Sequence, residues 1–311
     1  MKRKLSASEN KPTTQDSLSS SERTLEEYQR ILDVASQAAL AAGRVIKTNC
    51  GTVGVEFTKS SAQDLCTKVD TECQQLIARF VARHFPSHAF LGEESVVSGE
   101  DEKALDAVPI DGKGEWLWVV DPLDGTTNFV HGVPASVVSI GVAHKGVPIV
   151  GVIYDPYMDE LFTAVKGCGA YLNGKRMSVD KTASISSALI AFGSAGGNAA
   201  TTEPSFRAGA KFNAVCRGTR NVGSAALHIA FVAAGRYSAF FQLGLHAWDI
   251  LAGVVLISEA GGKGTDNRGG AYSLRTRDIV VTNGILHDSV LAVLKEADCH
   301  LPFSSYAKSA T

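Results

Sequence analysis

The spacing of apolar residues predicts two helices in the first ninety residues of the chain. Apolar positions recur at helical intervals after Thr24 and Glu27, which have the spacing of a capping box. A second helical pattern opens at Asp70 and ends before Pro86, which a helix interior does not tolerate. We therefore expect ordered structure to begin near Thr24 and the polar residues 1–23 to form a disordered tail.

The spacing of apolar residues then changes from that of a helix to that of a strand. From Trp116 onward, β-rich runs such as Val137–Ala143, Pro148–Ile153 and Leu161–Val165 are separated by turn signals, which predicts an antiparallel meander. After about Ser184, helices and strands alternate. The predicted strands there are Ala188–Phe192, Ser238–Phe241 and Ile279–Val281, and the predicted helices are 203–213, Ser224–Ala234, Trp248–Ala260 and one from Leu286.

These patterns divide the chain into three parts. The disordered tail covers residues 1–23, an α+β half with an antiparallel sheet covers 24–183, and an α/β half that completes the site covers 184–311. The predicted fold class is therefore α+β, with layers of helices and sheets and a site between them.

Composition narrows the range of partners and compartments. A formal net charge of −2, with both signs interspersed, argues against a nucleic-acid or anionic-membrane partner. No run reaches the ~18–20 apolar residues of a membrane span, and the N-terminus lacks the apolar stretch of a signal peptide. The 6 cysteines form no C-x-x-C pair, which favours reduced thiols in the cytoplasm.

The candidate chemistry is concentrated in the string D-P-L-D-G-T-T at 121–127. An apolar run delivers Asp121 at a strand end, and Asp124 follows three residues later, so that two carboxylates can face one point. Carboxylates suit Mg²⁺, and the N–H groups of Gly125 and Thr126 at a helix start suit a phosphate oxyanion. The structural alternative is an Asx turn in which both aspartates cap backbone N–H groups.

Three further acidic residues have both a functional and a structural interpretation. Glu93 follows the apolar Ala89-Phe90-Leu91, which places it at a predicted strand end, although exposed loop glutamates are common. Asp249 opens an apolar helix and is equally consistent with a helix cap. Asp70 has the same two interpretations at the second helix.

Together these strings closely resemble the inositol monophosphatase family. The resemblance rests on G-E-E-S at 92–95, W-x-V-D-P-x-D-G-T-T-N-F at 118–129, W-D at 248–249 and E-A-G-G at 259–262, and it runs from about Thr24 to beyond Val281. It implies a layered αβαβα sandwich, a homodimer, inhibition by lithium and Mg²⁺-dependent hydrolysis of a phosphate monoester.

The resemblance also implies a set of metal ligands with two or three Mg²⁺ ions. Glu93, Asp121 and the backbone carbonyl of Leu123 would hold the first ion. Asp121, Asp124 and Asp249 would hold the second, and Glu93 would help with a third. All four carboxylates are present, which argues against a non-catalytic binding protein of the same fold.

The remaining implied roles concern water, phosphate and substrate. Thr126, hydrogen-bonded to Asp70, would orient and help deprotonate the attacking water, with Glu93 as the third catalytic residue. The N–H groups of Gly125 and Thr126 would hold the phosphate. The implied substrate contacts are Asp124, Ser194, Gly223, Ser224, Ala225 and Gln242.

Gln242 departs from the family, which has a sugar-binding glutamate at this position. A carboxylate accepts hydrogen bonds from two adjacent hydroxyls, whereas an amide has one acceptor and one donor group. Gln242 is either a tolerated substitute or a change that weakens inositol phosphate binding and favours another ester. The expected substrate is myo-inositol monophosphate, and the alternatives are histidinol phosphate, a sugar phosphate, fructose bisphosphate and a 3′-phosphonucleotide.

Three remaining features are interpreted as structure. His228 lies in an apolar helix and is predicted to pack in the core. Gly261-Gly262 follows an apolar helix and is predicted to cap it. The polar segment 97–113 is predicted to form an exposed loop.

Overall fold

A computed structural model of the protein describes residues 20–59, 65–96, 103, 115–194, 199–301 and 305. The helices within these ranges are α1 (Ser20–Asn49), α2 (Lys68–His84), α3 (Thr126–Val130), α4 (Ala199–Val215), α5 (Ala225–Ala233), α6 (Ala247–Glu259) and α7 (His287–Glu296). The strands are β1 (Phe57–Thr58), β2 (Leu65–Cys66), β3 (Ala89–Gly92), β4 (Trp116–Asp124), β5 (Val137–His144), β6 (Val147–Asp155), β7 (Glu160–Val165), β8 (Gly169–Leu172), β9 (Lys175–Met177), β10 (Leu189–Phe192), β11 (Gly218–Arg220), β12 (Ala239–Leu243), β13 (Lys263–Thr265) and β14 (Asp278–Thr282).

Two large sheets organise the fold. The first has the order β3-β4-β5-β6-β7-β8-β9, and its strands are antiparallel except for the pair β3 and β4, which confirms the predicted meander. The second has the order β11-β10-β12-β14-β13, with β10 parallel to both of its neighbours. The apolar pattern does not predict β11 and β13, because three-residue strands are too short to show a period.

Helices cover both sheets in five layers. Helices α1 and α2 pack on one face of the first sheet, α5 and α6 lie between the two sheets, and α4 and α7 cover the far face of the second sheet. Successive side chains of β12 point to opposite faces of the second sheet. Phe240 therefore packs in the middle layer and Phe241 in the outer layer. This arrangement confirms the αβαβα sandwich.

Two glycines allow α6 to approach the first sheet closely. A Cβ atom at Gly151 would lie 2.3 Å from the carbonyl oxygen of Ala252, and one at Gly141 would lie 2.6 Å from Cγ of Leu251. Side chains at these positions would push α6 away from the sheet. The glycines therefore hold the first turn of α6, with Asp249, near the end of β4.

The N-terminal boundary differs from the prediction. Helix α1 begins at Ser20, four residues before Thr24, so that residues 20–23 of the predicted tail are helical. Ser, Glu and Arg are compatible with a helix, but the apolar period starts only at Leu25 and cannot reveal the first turn. Residues 1–19 of the predicted tail, and the predicted loop 97–113 apart from Lys103, lie outside the described residues.

Two further findings concern the cysteines and the length of the helices. All six cysteines are unpaired thiols. Within the described ranges, no helix combines the length and the apolar character that crossing a bilayer requires.

Candidate active site

Strand β4 ends in a turn that carries Asp121 and Asp124. The strand bulges between these two aspartates against β5. The Leu123 N–H donates to Asp121 Oδ1 at 3.0 Å, which forms the Asx turn that the sequence left as an alternative. Gly125 follows at φ +96°, and a Cβ there would lie 2.8 Å from the carbonyl oxygen of Ala135. The turn therefore requires glycine, and it aims both aspartates at one side.

Asp249 joins this pair from the first turn of α6. One oxygen of each of Asp121, Asp124 and Asp249 lies within 4.8 Å of the others, and the three carboxylates are buried. We call these three residues the carboxylate cluster. Among the described residues, these are the His, Cys, Asp or Glu side chains that come together in a group of at least three and could hold a metal ion.

Each member of the carboxylate cluster accepts hydrogen bonds from the protein on one oxygen. Asp124 Oδ2 accepts hydrogen bonds from Ser224 Oγ at 2.5 Å and from the Ala226 N–H at 2.7 Å. Asp249 Oδ2 accepts one from the His246 N–H at 2.7 Å. The second oxygen of each carboxylate accepts no hydrogen bond from any described residue. Three oxygens therefore remain available to a ligand.

Burial and mutual repulsion raise the pKa of each carboxyl group in the cluster. Burial, assisted by the charge of Asp249, raises the pKa of Asp124 to about 7. Burial also raises the pKa of Asp249 to about 6, with His246 opposing the shift and Glu93 adding to it. The pKa of Asp121 lies well above its usual range, first because of burial and then because of Glu93 and the other two aspartates. A bound cation would balance these charges, and oxygen donors of this kind fit Mg²⁺.

Glu93 lies beside the carboxylate cluster and has a counter-ion from the chain itself. Lys59 Nζ donates to Glu93 Oε1 at 2.8 Å and to Glu94 Oε1 at 2.7 Å. The charge of Glu93 nevertheless raises the pKa of Asp121, so the two groups share one electrostatic environment. Sequence reasoning missed Lys59, because it lies 34 residues before Glu93 and belongs to none of the recognised motifs.

Asp70 takes part in the cap of α2 and also contacts Thr126. Its Oδ2 accepts hydrogen bonds from the Thr67 N–H at 2.8 Å and from Thr67 Oγ1 at 2.5 Å, which forms a capping box. Its Oδ1 accepts a hydrogen bond from Thr126 Oγ1 at 3.1 Å. Burial raises the pKa of Asp70, and the bonds from Thr67 oppose that shift. Helix α2 therefore begins at Lys68 with Thr67 as its cap, not at Asp70 as predicted.

The start of α3 presents the predicted phosphate-binding N–H groups. Helix α3 begins at Thr126, directly after Gly125. The N–H groups of these two residues therefore lie where an α-helix provides no internal acceptor. The Leu123 carbonyl, a predicted metal ligand, lies 3.2 Å from Thr126 Oγ1 in the same turn.

Ser224 connects the predicted substrate segment to the carboxylate cluster. Its Oγ donates to Asp124 Oδ2 and accepts from the Leu227 N–H at 3.2 Å, so that Ser224 also caps α5. Asn128, which lies in the string at 118–129 but was given no role there, donates to the carbonyl of Val222 at 2.7 Å and ties the segment to α3. The neighbours of Ser224 in the predicted substrate segment are Gly223 and Ala225.

Gln242 and Ser194 form a second group of predicted substrate residues. Gln242 is buried in β12, and its side chain occupies the space over Gly193, where a Cβ would lie 1.8 Å from Gln242 Oε1. Ser194 follows Gly193 directly. Among the described residues, no hydrogen bond joins Gln242 or Ser194 to the carboxylate cluster.

His228 packs in the core, as predicted. Its Nε2 accepts a hydrogen bond from the Val222 N–H at 3.0 Å, and its ring stacks on Phe240 with centroids 4.8 Å apart. Burial lowers the pKa of His228 to about 3, so that the ring is neutral at pH 7.

Gly261 follows α6 at φ +84°, which confirms the predicted helix end.

Known proteins resemble this chain over almost all of its described length. The model of the inositol monophosphatase family matches residues 27–298. Inositol monophosphatase 1 of Solanum lycopersicum is 37% identical over 279 residues, which is 88% of this chain and 96% of that protein. A solved inositol monophosphatase from Anabaena (Nostoc) sp. PCC 7120 is 36% identical with a TM-score of 0.73, covering 90% of this chain and 99% of that one. A solved IMPase/NADP phosphatase complexed with Mg²⁺ and phosphate is 25% identical with a TM-score of 0.71, covering 87% and 95%.

Proposed function

Because the chain belongs to the inositol monophosphatase family, we propose that it hydrolyses myo-inositol monophosphate to inositol and phosphate with Mg²⁺ as its cofactor. The observation that carries the proposal is the carboxylate cluster. Three carboxylates from two segments far apart in the sequence bring their oxygens within 4.8 Å of one another in a buried position. Such a group is suited to holding cations against a phosphate ester.

The free oxygens of the carboxylate cluster, together with Glu93 and the carbonyl of Leu123, would hold two or three Mg²⁺ ions. When bound, Mg²⁺ lowers the pKa of water and neutralises charge on a phosphate group. The raised pKa of Asp124 and Asp249 supports this assignment, because a cation restores the ionised form of both.

Thr126 and Asp70 would orient the attacking water. Because Thr126 donates its hydroxyl proton to Asp70, the lone pairs of Thr126 Oγ1 are available to accept a hydrogen bond from water. The raised pKa of Asp70 makes its carboxylate a stronger base for a proton passed on through Thr126. The N–H groups of Gly125 and Thr126 would hold the phosphate oxygens at the start of α3.

The substrate would lie between the Ser224 segment and Gln242. Ser224 touches Asp124, and Gln242 adds an amide that can both donate to and accept from hydroxyl groups. The same reaction on histidinol phosphate, a sugar phosphate, fructose bisphosphate or a 3′-phosphonucleotide is the alternative. Gln242 is the residue in this group that departs from the family.

Phosphate release from the purified protein tests the proposal. With inositol 1-phosphate as substrate, we expect release that requires Mg²⁺ and that lithium suppresses. Mg²⁺-dependent release from another ester in a panel, but not from inositol phosphate, would support the metal-dependent mechanism and identify a different substrate. No release from any ester, despite Mg²⁺ binding, would identify a non-catalytic binding protein.

We also propose that the protein acts as a cytoplasmic homodimer without a membrane or nucleic-acid partner. The family resemblance supports the dimer, and the six unpaired cysteines and the net charge of −2 support the rest. Sedimentation of the purified protein would test the dimer, since a monomer at micromolar concentration contradicts it.

A further inference from the structure

Asn128 joins the predicted phosphate-binding turn to the predicted substrate segment. It lies in α3, the helix whose start offers the N–H groups of Gly125 and Thr126. Its Nδ2 group donates to the carbonyl of Val222 at 2.7 Å and to the carbonyl of Ala135 at 2.7 Å. Both donor hydrogens of the amide are therefore used, and they hold α3 at a fixed spacing from a segment that lies 94 residues away in the sequence.

The backbone of Val222 is fixed at both of its polar groups. Its carbonyl accepts the hydrogen bond from Asn128, and its N–H donates to Nε2 of the buried His228 at 3.0 Å. Val222 therefore gives a fixed start to the turn at Gly223, which has φ +79°. The turn leads directly to Ser224, the cap of α5.

Gly223 brings the substrate segment close to the phosphate-binding turn. A Cβ atom at Gly125 would lie 3.4 Å from the carbonyl oxygen of Gly223, and a Cβ atom at Gly223 would lie 2.9 Å from Nδ2 of Asn128. A side chain at Gly223 would therefore push the segment away from Asn128. Glycine permits both the positive φ and the close approach that the amide of Asn128 holds.

We propose that Asn128 is a positioning residue that sets the distance between the sites for the phosphate and for the hydroxyl groups of the substrate. A monoester that is held at its phosphate by the start of α3 reaches the segment 223–225 with its hydroxyl groups only when the two parts of the site are correctly spaced. Asn128 thus favours esters whose alcohol carries several hydroxyl groups. This inference rests on the proposed phosphatase function and concerns its substrate selectivity.

The Asn128→Ala variant tests the inference, because it removes both hydrogen bonds of the amide. The substrates are inositol 1-phosphate and phenyl phosphate, whose leaving group carries no further hydroxyl. We expect kcat/KM for inositol 1-phosphate to fall about tenfold or more, and kcat/KM for phenyl phosphate to change by less than about twofold. Mg²⁺ binding to the substrate-free protein, measured by titration calorimetry, should be unchanged, because the donor group of Asn128 bonds to backbone carbonyls and not to the carboxylate cluster.

The Gly223→Ala variant tests the same contact from the opposite side. The added methyl group would meet Nδ2 of Asn128 and displace the segment 223–225. We expect this variant to lose its preference for inositol 1-phosphate over phenyl phosphate as well. Because the two variants change different residues, a folding defect in one of them leaves the other to decide the inference.

Asn283→Ala is the matched control. The amide of Asn283 also donates to two groups of another segment, Asp180 Oδ1 at 2.6 Å and the carbonyl of Thr182 at 2.8 Å. None of these three residues has a predicted role in the site. Loss of the amide should lower the melting temperature and leave the ratio of kcat/KM for the two esters unchanged.

The outcomes separate this inference from the proposed function. An equal fall of kcat/KM for both esters in Asn128→Ala, or no fall for either, overturns the inference. A wild-type protein that releases no phosphate from inositol 1-phosphate contradicts the proposed function. Calorimetric binding of that ester in the presence of Mg²⁺ then decides the inference, since weaker binding to Asn128→Ala than to wild type supports it, and equal or absent binding overturns it.

Discussion

The carboxylate cluster and the neighbouring Glu93–Glu94 pair balance their negative charge in different ways. The Glu93–Glu94 pair shares the ammonium group of Lys59, at 2.8 Å and 2.7 Å. In the carboxylate cluster, hydrogen bonds from the protein reach one oxygen of each aspartate, and the charges of His246 and Arg277 oppose the rise in the pKa of Asp249. The Glu93–Glu94 pair has the ammonium group of Lys59 within hydrogen-bond distance, whereas the carboxylate cluster brings three carboxylate oxygens together in a way that fits a metal ion.

Burial raises the pKa of carboxyl groups in both regions. In the cluster, Asp124 reaches about 7 and Asp249 about 6, because burial and like charges disfavour ionisation. In the pair, burial also raises the pKa of Glu94 to about 7, but Lys59 opposes the shift. The comparison teaches that a lysine beside a buried carboxyl group opposes the rise in its pKa but does not cancel the effect of burial.

The largest effect is expected from Asp121→Asn, which removes one charge from the cluster. We expect kcat/KM for phosphate release to fall by roughly 10³-fold or more, since the developing charge loses its stabilisation by a metal. The melting temperature in EDTA should stay the same or rise, because repulsion within the cluster is relieved. Activity within tenfold of wild type would contradict the assignment of Asp121 as a ligand.

Gln242→Glu introduces a negative charge at a neutral position outside both acidic regions. If the amide limits inositol binding, the new carboxylate should raise kcat/KM for inositol 1-phosphate about tenfold, because charge-assisted hydrogen bonds are roughly twice as strong as neutral ones. An ester without adjacent hydroxyls serves as the control substrate and should not gain. An unchanged or lower value for inositol phosphate would show that Gln242 is a tolerated substitute.

Lys59→Gln would make the two acidic regions more alike. Without the ammonium group, Glu93 becomes available to a cation, and we expect the Mg²⁺ concentration for half-maximal activity to fall about fivefold, equivalent to one hydrogen bond of about 1 kcal/mol. Lys145→Gln is the matched control, because Lys145 pairs with the exposed Glu115 at 2.9 Å. A higher Mg²⁺ requirement in Lys59→Gln would mean that Lys59 supports the site and does not compete with the ion.

The smallest effect is a pH dependence of stability in the metal-free protein. The raised pKa values of Asp124 and Asp249 mean that the folded protein binds these protons more tightly than the unfolded chain, where aspartate titrates near about 3.9. Stability from these groups is therefore lost as pH rises from about 4 to about 7. We expect the increase in melting temperature on adding Mg²⁺ to grow by several degrees over this range. If the Mg²⁺-induced increase in melting temperature does not change with pH, Mg²⁺ does not bind to the carboxylate cluster.

Most of the architecture could be predicted from local patterns. Strands β5, β6 and β7 alternate or run apolar over six to nine residues, and they differ from the prediction by only a few terminal residues. The start of α1 and the short strands β11 and β13 could not be predicted, because none of them contains a repeat of apolar positions. The family, inferred from its motifs, is confirmed by the match over residues 27–298.

In the candidate site, too, some features follow from the local sequence and others from tertiary packing. The turn from Asp121 to Thr126 and the Thr67–Asp70 cap are determined by the sequence itself, because each is closed by hydrogen bonds across two or three residues. Tertiary structure alone decided which distant groups meet this turn: Asp249 through the close approach of α6, Ser224 across 100 residues, and Lys59 beside Glu93. Local bonds depend on residue order, whereas these meetings depend on how helices and sheets pack, and packing follows from the shapes of many side chains together.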